Sequence, residues 1–310
     1  MDSALYIITG FTAVGKTRLS LDWAKANDAE IISCDSLLFY KGMNIGTAKP
    51  TAEEMAEVRH HMIDIIPPSR QYSIREYLRE VKRLVDEIHD RGKRVLVVGG
   101  SGFYLNAYLA PVVDHVKVDP VVEARITTQF ENQPLEDSVE ELMKLNPDGL
   151  GDLDVQNPRR VLKAWLRCVA TGKPLKALLK EFGEMPGAFD QFDRNIVVLS
   201  RPKEILEERV RLRVDQMIAD GLVEEVRSLL DEQLLDNPSG AGAIGYRETI
   251  SHIQGELSAD ELPDKISQNT RRLLKKQRTW FKKHLPSDAV IDVSTVKTGE
   301  IDWHSVPAKR

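Results

Sequence analysis

Long apolar runs are missing from this sequence. No stretch approaches the roughly 18 consecutive residues that cross a bilayer. Met1-Asp2-Ser3 leads straight into a short apolar segment, without the basic start or small-residue cleavage site of a secretory leader. A cytoplasmic location with no membrane partner is therefore expected. Cysteine is scarce too: Cys34 and Cys168 are the whole complement, far apart in the chain. That excludes a disulfide framework and suits a reducing compartment, with both thiols read as inert core residues. Internal repeats and low-complexity tracts are absent as well.

What is present is the composition of a folded protein, 42% hydrophobic and 29% charged over 310 residues. Single cores stop growing at about 250–300 residues, so one core with an added module is expected. The formal net charge of −5 argues on its face against a polyanionic partner. Its distribution argues otherwise. Lys265, Arg271, Arg272, Lys275, Lys276, Arg278, Lys282 and Lys283 fall in the 20 residues ending at His284, with no Asp or Glu among them. That +8 segment leaves the other 290 residues at −13, a basic stripe on an acidic body.

Strands are expected where short apolar runs meet turn signals: 5–9, 30–34, 94–98, 196–199 and 289–293. They alternate with helical patterns such as 74–89, which implies a mostly parallel sheet covered on both faces. From 114 to 190 no strand pattern occurs, while helical stretches recur at 121–130, 138–145, 158–170 and 175–182. The expected organisation is an α/β core from 1–113 and 191–310 with a helical module, 114–190, inserted into it. A long helical run is expected over 203–230 and a Gly-rich loop over 236–245.

Residues 10–17 read GFTAVGKT, a match to G-x4-G-K-[ST] placed between the first strand and a helix. The physics of this phosphate loop is specific. Glycines let successive backbone N–H groups wrap a phosphate, the helix N-terminus adds a favourable dipole, Lys16 neutralises charge, and Thr17 can hold Mg²⁺. The candidate diphosphate-binding residues are thus Gly10, Thr12, Ala13, Val14, Gly15, Lys16 and Thr17, in a P-loop NTPase-like core. The motif by itself does not choose between a nucleoside triphosphate and another diphosphate.

Beyond the second strand the chain reads DSLLFYKGMNIGTAKP at 35–50, then HHMID at 60–64, YSIREY at 72–77, GGSGFY at 99–104, NPRR at 157–160, ERVRLRVDQMIADGL at 208–222, AIGYRE at 243–248 and TRRLLKKQRTWF at 270–281. In order and spacing, over about 280 residues, these segments with the phosphate loop resemble the tRNA dimethylallyltransferase (tRNA isopentenyltransferase) family. The resemblance implies attack of the exocyclic N6 amine of the adenosine 3′ of the tRNA anticodon on C1 of dimethylallyl diphosphate, releasing pyrophosphate. Mg²⁺ is the implied cofactor. Asp35 matches the family's general base. Ser101 stands where the family usually has Thr, keeping a hydroxyl for the diphosphate or the nucleotide. Arg209 and Arg213 lie one helical turn apart, so both can point at one anion. Arg213 matches a position near the diphosphate; Arg209 remains open as a surface charge. Lys16, Asp35, Ser101 and Arg213 are the expected catalytic group.

The same resemblance implies that the target nucleotide is extruded into the protein. The matching tRNA-side segments are Asp35, Ser36, Leu37 and Leu38; Arg159, Arg160, Val161, Leu162 and Lys163; Gly242, Ala243, Ile244, Gly245, Tyr246 and Arg247; and Lys275, Lys276, Gln277, Arg278 and Trp280. Ser101 and Glu123 are further matching positions. Tyr246 is expected to stack on a base and Arg247 to meet a phosphate, while the basic segment combines cations with an aromatic as single-stranded loops require. The chain departs from a common D-P-x-x-R pattern at Asp119-Pro120-Val121-Val122-Glu123, with Arg125 two residues on. His60 and His61, adjacent and without companions, do not read as a metal site. A monomer is expected.

Three rivals are weighed. A free-adenylate isopentenyltransferase would need neither an RNA-grasping insertion nor a +8 helix. A small-molecule P-loop kinase would transfer the γ-phosphoryl group of ATP. A nucleotide-switched RNA-binding regulator would lack prenyl chemistry, and no N-K-x-D guanine signature is present.

Overall fold

The computed structural model describes residues 4–112, 116–296 and 301–308. The expected leader-free start, Met1–Ser3, and the expected junction at 113/114 lie outside the described residues. One sheet carries β1 (Leu5–Gly10), β2 (Ala29–Ser33), β3 (His60–His61), β4 (Arg94–Gly99), β5 (Arg194–Ser200), β6 (Val290–Asp292) and β7 (His304–Val306). The order is β3-β2-β4-β1-β5-β6, and neighbours in it run parallel. β6 and β7 share the outer edge of β5: β6 runs parallel along Val198–Ser200, β7 antiparallel along Arg194–Ile196. The central strands are wholly buried through Ile7, Ile8, Val95, Leu96, Val97, Ile196 and Val197, which is why they read as unbroken apolar runs.

The helices follow local signals. Ile74–Asp90 starts at a capping box, in which the Ser73 side chain accepts from the Glu76 N–H and the Glu76 carboxylate accepts from the Ser73 N–H. It buries Tyr77, Val81, Leu84, Val85 and Ile88 on one face. The basic segment is one helix, Leu262–His284, whose buried stripe includes Ile266, Thr270, Leu274, Gln277 and Phe281. Its lysines and arginines occupy the other side. No helix among the described residues is long and apolar enough to cross a membrane.

The chain divides into two compact units, Met1–Leu109 with Ala188–Arg310, and Ala110–Gly187. The first holds the sheet, the phosphate loop and the basic helix, so the fold is α/β with a P-loop NTPase-like core. The second is helical and has its own small core, built from Ile126, Leu142, Val161, Trp165, Cys168 and Leu175. Within it, Pro158–Thr171 is capped by Asn157, whose side chain accepts from the Arg160 N–H, and it stops at Gly172.

Several elements differ from the sequence pattern. The run expected over 203–230 is two helices, Lys203–Ala219 and Leu222–Asp231, because Gly221 adopts a left-handed conformation between them. The segment expected as a loop over 236–245 contains a short helix, Pro238–Ala241, started by the Asn237 side chain. The two-residue β3 and the antiparallel β7 carry too few residues for any periodic signal.

Candidate active site

Three neighbouring parallel strands, β2, β4 and β1, end at the same edge of the sheet. Just beyond their carboxyl ends lie Asp35, Ser101 and the phosphate loop, the place where open α/β sheets bind ligands. In the loop, Gly15 has φ +106° and serves as the N-cap of the Lys16–Ala26 helix, a conformation that side-chain-bearing residues resist. The loop is held by two arginines. The Arg201 Nε donates to the Val14 carbonyl at 2.9 Å and the Arg209 Nε to the Ala13 carbonyl at 2.6 Å. Both fasten the loop backbone to the segment that follows β5.

Two cavities meet here. One, of about 410 Å³, is lined by residues 12–18 of the loop, Asp35, Leu38, Ala48, Pro50, His60, Ile63, Arg209 and Arg213, among others. The other, of about 360 Å³, is lined by Ser36, Leu37, Ser101, Met217, Gly242, Ala243, Ile244, Gly245, Thr270 and Gln277, among others. Thr12, Lys16, Asp35, Thr47 and Arg213 belong to both walls. An anion seated on the loop and a group entering by the second cavity would therefore meet at a partition of two cations and one carboxylate.

The partition is electrostatically tense. Loss of hydration pushes the Lys16 ammonium down to about 8; the Asp35 charge works against that fall and the Arg213 charge adds to it. Burial also lowers Arg213, again opposed by Asp35. Lys16 Nζ donates to the Gly10 carbonyl at 3.1 Å and the Phe11 carbonyl at 2.9 Å. Arg213 donates to the Thr47 carbonyl at 3.0 Å. Two cations share one nearby carboxylate, and a bound polyanion would relieve the imbalance. The Asp35 carboxylate accepts from the Leu37 N–H at 3.1 Å, and the Asp35 N–H donates to the Ser33 hydroxyl at 3.3 Å, so the residue is fixed by its own turn. Beneath it the buried Tyr77 hydroxyl donates to the Ser33 carbonyl at 3.1 Å.

Thr17 and Asp35 face the first cavity. Among the described residues no group of three or more His, Cys, Asp or Glu side chains could hold a metal ion. A hydroxyl and a carboxylate fit Mg²⁺, which keeps several waters and takes much of its coordination from substrate phosphates rather than from a protein cage. His60 lines the first cavity, where its Nδ1 donates to the Val58 carbonyl at 2.7 Å, and His61 Nε2 meets Glu30 at 2.6 Å.

Lys16, Thr17, Asp35 and Arg213 are thus brought together with Thr12, Ala13, Val14 and Gly15, while Ser36, Leu37, Ser101 and Gly242 to Gly245 face the second cavity. Lys275, Lys276 and Trp280 line a separate shallow groove on the basic helix with Thr279, Lys283 and His284. Arg278 lies over the Phe11 ring at 5.8 Å. Glu123, Arg159, Arg160 and Lys163 belong to the helical unit, where the last three are exposed and Arg160 lies 3.8 Å from Asp154.

Three expectations need correcting. Tyr246 cannot stack on a base: it is wholly buried and its hydroxyl donates to Glu225 at 2.7 Å. Val161 is core and Leu162 packs against that core, because a helical segment cannot turn every residue outward. Gly10 does not line either cavity; a side chain there would meet the Leu199 carbonyl at 2.4 Å, so its part is close strand packing. Gln277, expected on the RNA side, is largely buried and lines the second cavity while its amide meets both loops. Arg247, expected to meet a phosphate, is exposed and donates to Glu248 at 2.6 Å.

Glu225 escaped the sequence reading altogether. Its carboxylate accepts from the N–H groups of Asn44, Ile45 and Gly46 at 2.9, 2.7 and 3.2 Å, in addition to the Tyr246 hydroxyl. It thereby shapes the loop that presents Thr47 to Arg213. Nothing in Leu222-Val223-Glu224-Glu225 distinguishes it from an ordinary acidic first turn.

The IPP transferase family model matches residues 38–284. The tRNA dimethylallyltransferase of Opitutus terrae is 47% identical over 293 residues, covering 94% of each chain. Among solved structures, the tRNA isopentenylpyrophosphate transferase of Bacillus halodurans aligns with a TM-score of 0.67 at 32% identity, covering 94% of this chain and 90% of that one. A eukaryotic dimethylallyltransferase acting on tRNA aligns with a TM-score of 0.75 at 24% identity, covering 93% of this chain and 73% of that one, a likeness of fold.

Proposed function

The chain belongs to the IPP transferase family, and from that premise we propose that it transfers a dimethylallyl group from dimethylallyl diphosphate to the N6 amine of the adenosine 3′ of a tRNA anticodon. The observation that carries this reading is the shared wall of the two cavities, where Lys16, Asp35 and Arg213 stand between a phosphate loop and a second, more apolar entrance. The diphosphate sits on the phosphate loop at the amides of Ala13 and Gly15 to Thr17, with its oxygens toward Lys16 and Arg213. The extruded adenine enters from the side of Ser36, Ser101 and Gly242 to Gly245.

In the reaction the N6–C1 bond forms as the C1–O bond breaks. Asp35 accepts the proton that the amine loses, and the bond electrons leave with pyrophosphate. Lys16 and Arg213 stabilise the charge that grows on the leaving oxygens, in a wall where little water competes. Ser101 hydrogen-bonds the incoming nucleotide or the diphosphate. Thr17 would hold Mg²⁺, which when bound would further neutralise the diphosphate.

The helical unit contributes Arg159, Arg160 and Lys163, with Glu123, to the anticodon stem-loop, and the basic helix contributes Lys275, Lys276 and Arg278 to the RNA backbone. The enzyme works as a cytoplasmic monomer. The test is to incubate the purified protein with bulk tRNA, Mg²⁺ and labelled dimethylallyl diphosphate and to identify the product nucleoside by mass. N6-isopentenyladenosine in tRNA is expected. Label in free adenosine phosphates instead, or ATP consumption without prenyl transfer, would replace this reading by one of its rivals.

A further inference from the structure

The basic helix Leu262–His284 has two unlike sides. Lys275, Lys276, Lys282 and Lys283 are exposed. The opposite side is fastened to both loops of the candidate site. The Gln277 Oε1 accepts from the Thr12 N–H at 3.1 Å, and the Gln277 Nε2 donates to the Gly100 carbonyl at 3.1 Å. One buried amide therefore spans the phosphate loop and the turn that carries Ser101. The fit around it is close: a side chain at Gly100 would come within 3.2 Å of Gln277 Nε2 and 3.3 Å of Lys16 Nζ. The neighbouring contacts are apolar, with Phe281 edge-on to Phe11 at 5.2 Å and the Trp280 ring filling the space beside Gly102.

We propose that Gln277 is a positioning residue for the transfer reaction: it sets the spacing between the phosphate loop and Ser101, rather than contacting RNA. The inference rests on the proposed function above. An amide suits this role because it offers one acceptor and one donor on a planar group, matching an N–H on one loop and a carbonyl on the other. Both backbone groups are half-buried, where a hydrogen bond is stronger than in open water, so the side chain has an energetic reason to hold both loops at one separation. The Thr12 amide is engaged by Gln277 and the Val14 amide by the Phe11 carbonyl, which leaves the amides of Ala13 and Gly15 to Thr17 to the diphosphate. Lys16 and Ser101 then face the reacting centre from loops tied together by a single side chain.

The test uses Gln277→Met, similar in length but without the two hydrogen bonds, and Gln277→Asn, which keeps the amide but is too short to reach both loops. For each, kcat and both KM values are measured by varying one substrate while the other is saturating, with tRNA affinity measured separately by filter binding. Misplacing reacting groups by about 1 Å costs up to roughly 100-fold, so kcat is expected to fall roughly 10- to 100-fold in both variants while tRNA affinity stays as in the unaltered protein. Weakened tRNA binding at unchanged kcat would make Gln277 an RNA contact and overturn the proposal. So would a lowered melting temperature with kcat unchanged, the mark of a purely structural residue. Should Gln277→Met fail to fold, Gln277→Asn decides alone. Failure of the unaltered protein to modify any tRNA would instead count against the function itself.

Discussion

Removing the Glu225 carboxylate should loosen the site without touching any residue that meets substrate. In Glu225→Ala four donors lose their acceptor. The Asn44 amide is exposed and recovers a partner from water, so it contributes little. The Ile45 and Gly46 amides are half-buried and cost about 0.5–1.5 kcal/mol each. The Tyr246 hydroxyl, on a wholly buried ring, loses the acceptor of its proton at about 1–3 kcal/mol. The total is about 3 kcal/mol, read as a lowered urea midpoint at unchanged slope. Because the loop also carries the Thr47 carbonyl that Arg213 holds at 3.0 Å, the KM for the prenyl diphosphate should rise by roughly tenfold, the equivalent of about 1.4 kcal/mol. Tyr246→Phe keeps the loop amides paired and should cost only about 1 kcal/mol. A double-mutant cycle between the two should show coupling of about 1 kcal/mol. A Glu225→Ala protein as stable as the unaltered one, with the same KM, would refute the bracing role.

Asp35→Ala should abolish transfer and largely spare tRNA binding; turnover retained alongside lost RNA affinity would contradict its part as proton acceptor. Lys16, held down to about 8, gives diphosphate binding a pH dependence. Below that value the ammonium is already charged in the free protein. Above it, binding must first recharge the amine, since the anion favours the protonated form, so pyrophosphate affinity should fall by about tenfold per pH unit. Isothermal titration at pH 7, 8 and 9 checks this, and a flat profile would mean that Lys16 keeps its charge throughout. Replacing Lys275, Lys276 and Arg278 together should weaken RNA binding and flatten the dependence of log affinity on log salt by roughly 0.7–0.9 per lost phosphate contact. An unaltered slope would remove that helix from the RNA surface.

Much of the site was legible in the chain because its chemistry is local. GFTAVGKT dictates a phosphate loop wherever a strand precedes it and a helix follows, and Asp35 and Ser101 each stand just past a recognisable buried strand. The +8 segment was legible as a surface because a helix with that many cations must turn them to water or to a polyanion. Family likeness added roles to these positions that spacing alone does not supply.

Other assignments failed where a residue's neighbours come from far along the chain. Tyr246 and Val161 sit in segments matched to RNA contact, yet each is buried by packing that no short motif encodes. The meaning of Glu225 depends on loop amides about 180 residues earlier, and that of Gln277 on Thr12, 265 residues away. Backbone groups carry no sequence signature, so the side chains that seek them cannot be paired by reading.

The order of residues therefore determined the fold class, the phosphate loop, the carboxylate and hydroxyl beyond the neighbouring strands, and the basic stripe, since each follows from local periodicity, backbone conformation or charge. Only the tertiary structure decided that two cavities share Lys16, Asp35 and Arg213, which face of the basic helix is fastened inward, and which side chains brace the loops. Those outcomes arise from burial and hydrogen-bond pairing between distant segments, which exist only once the chain has closed on itself.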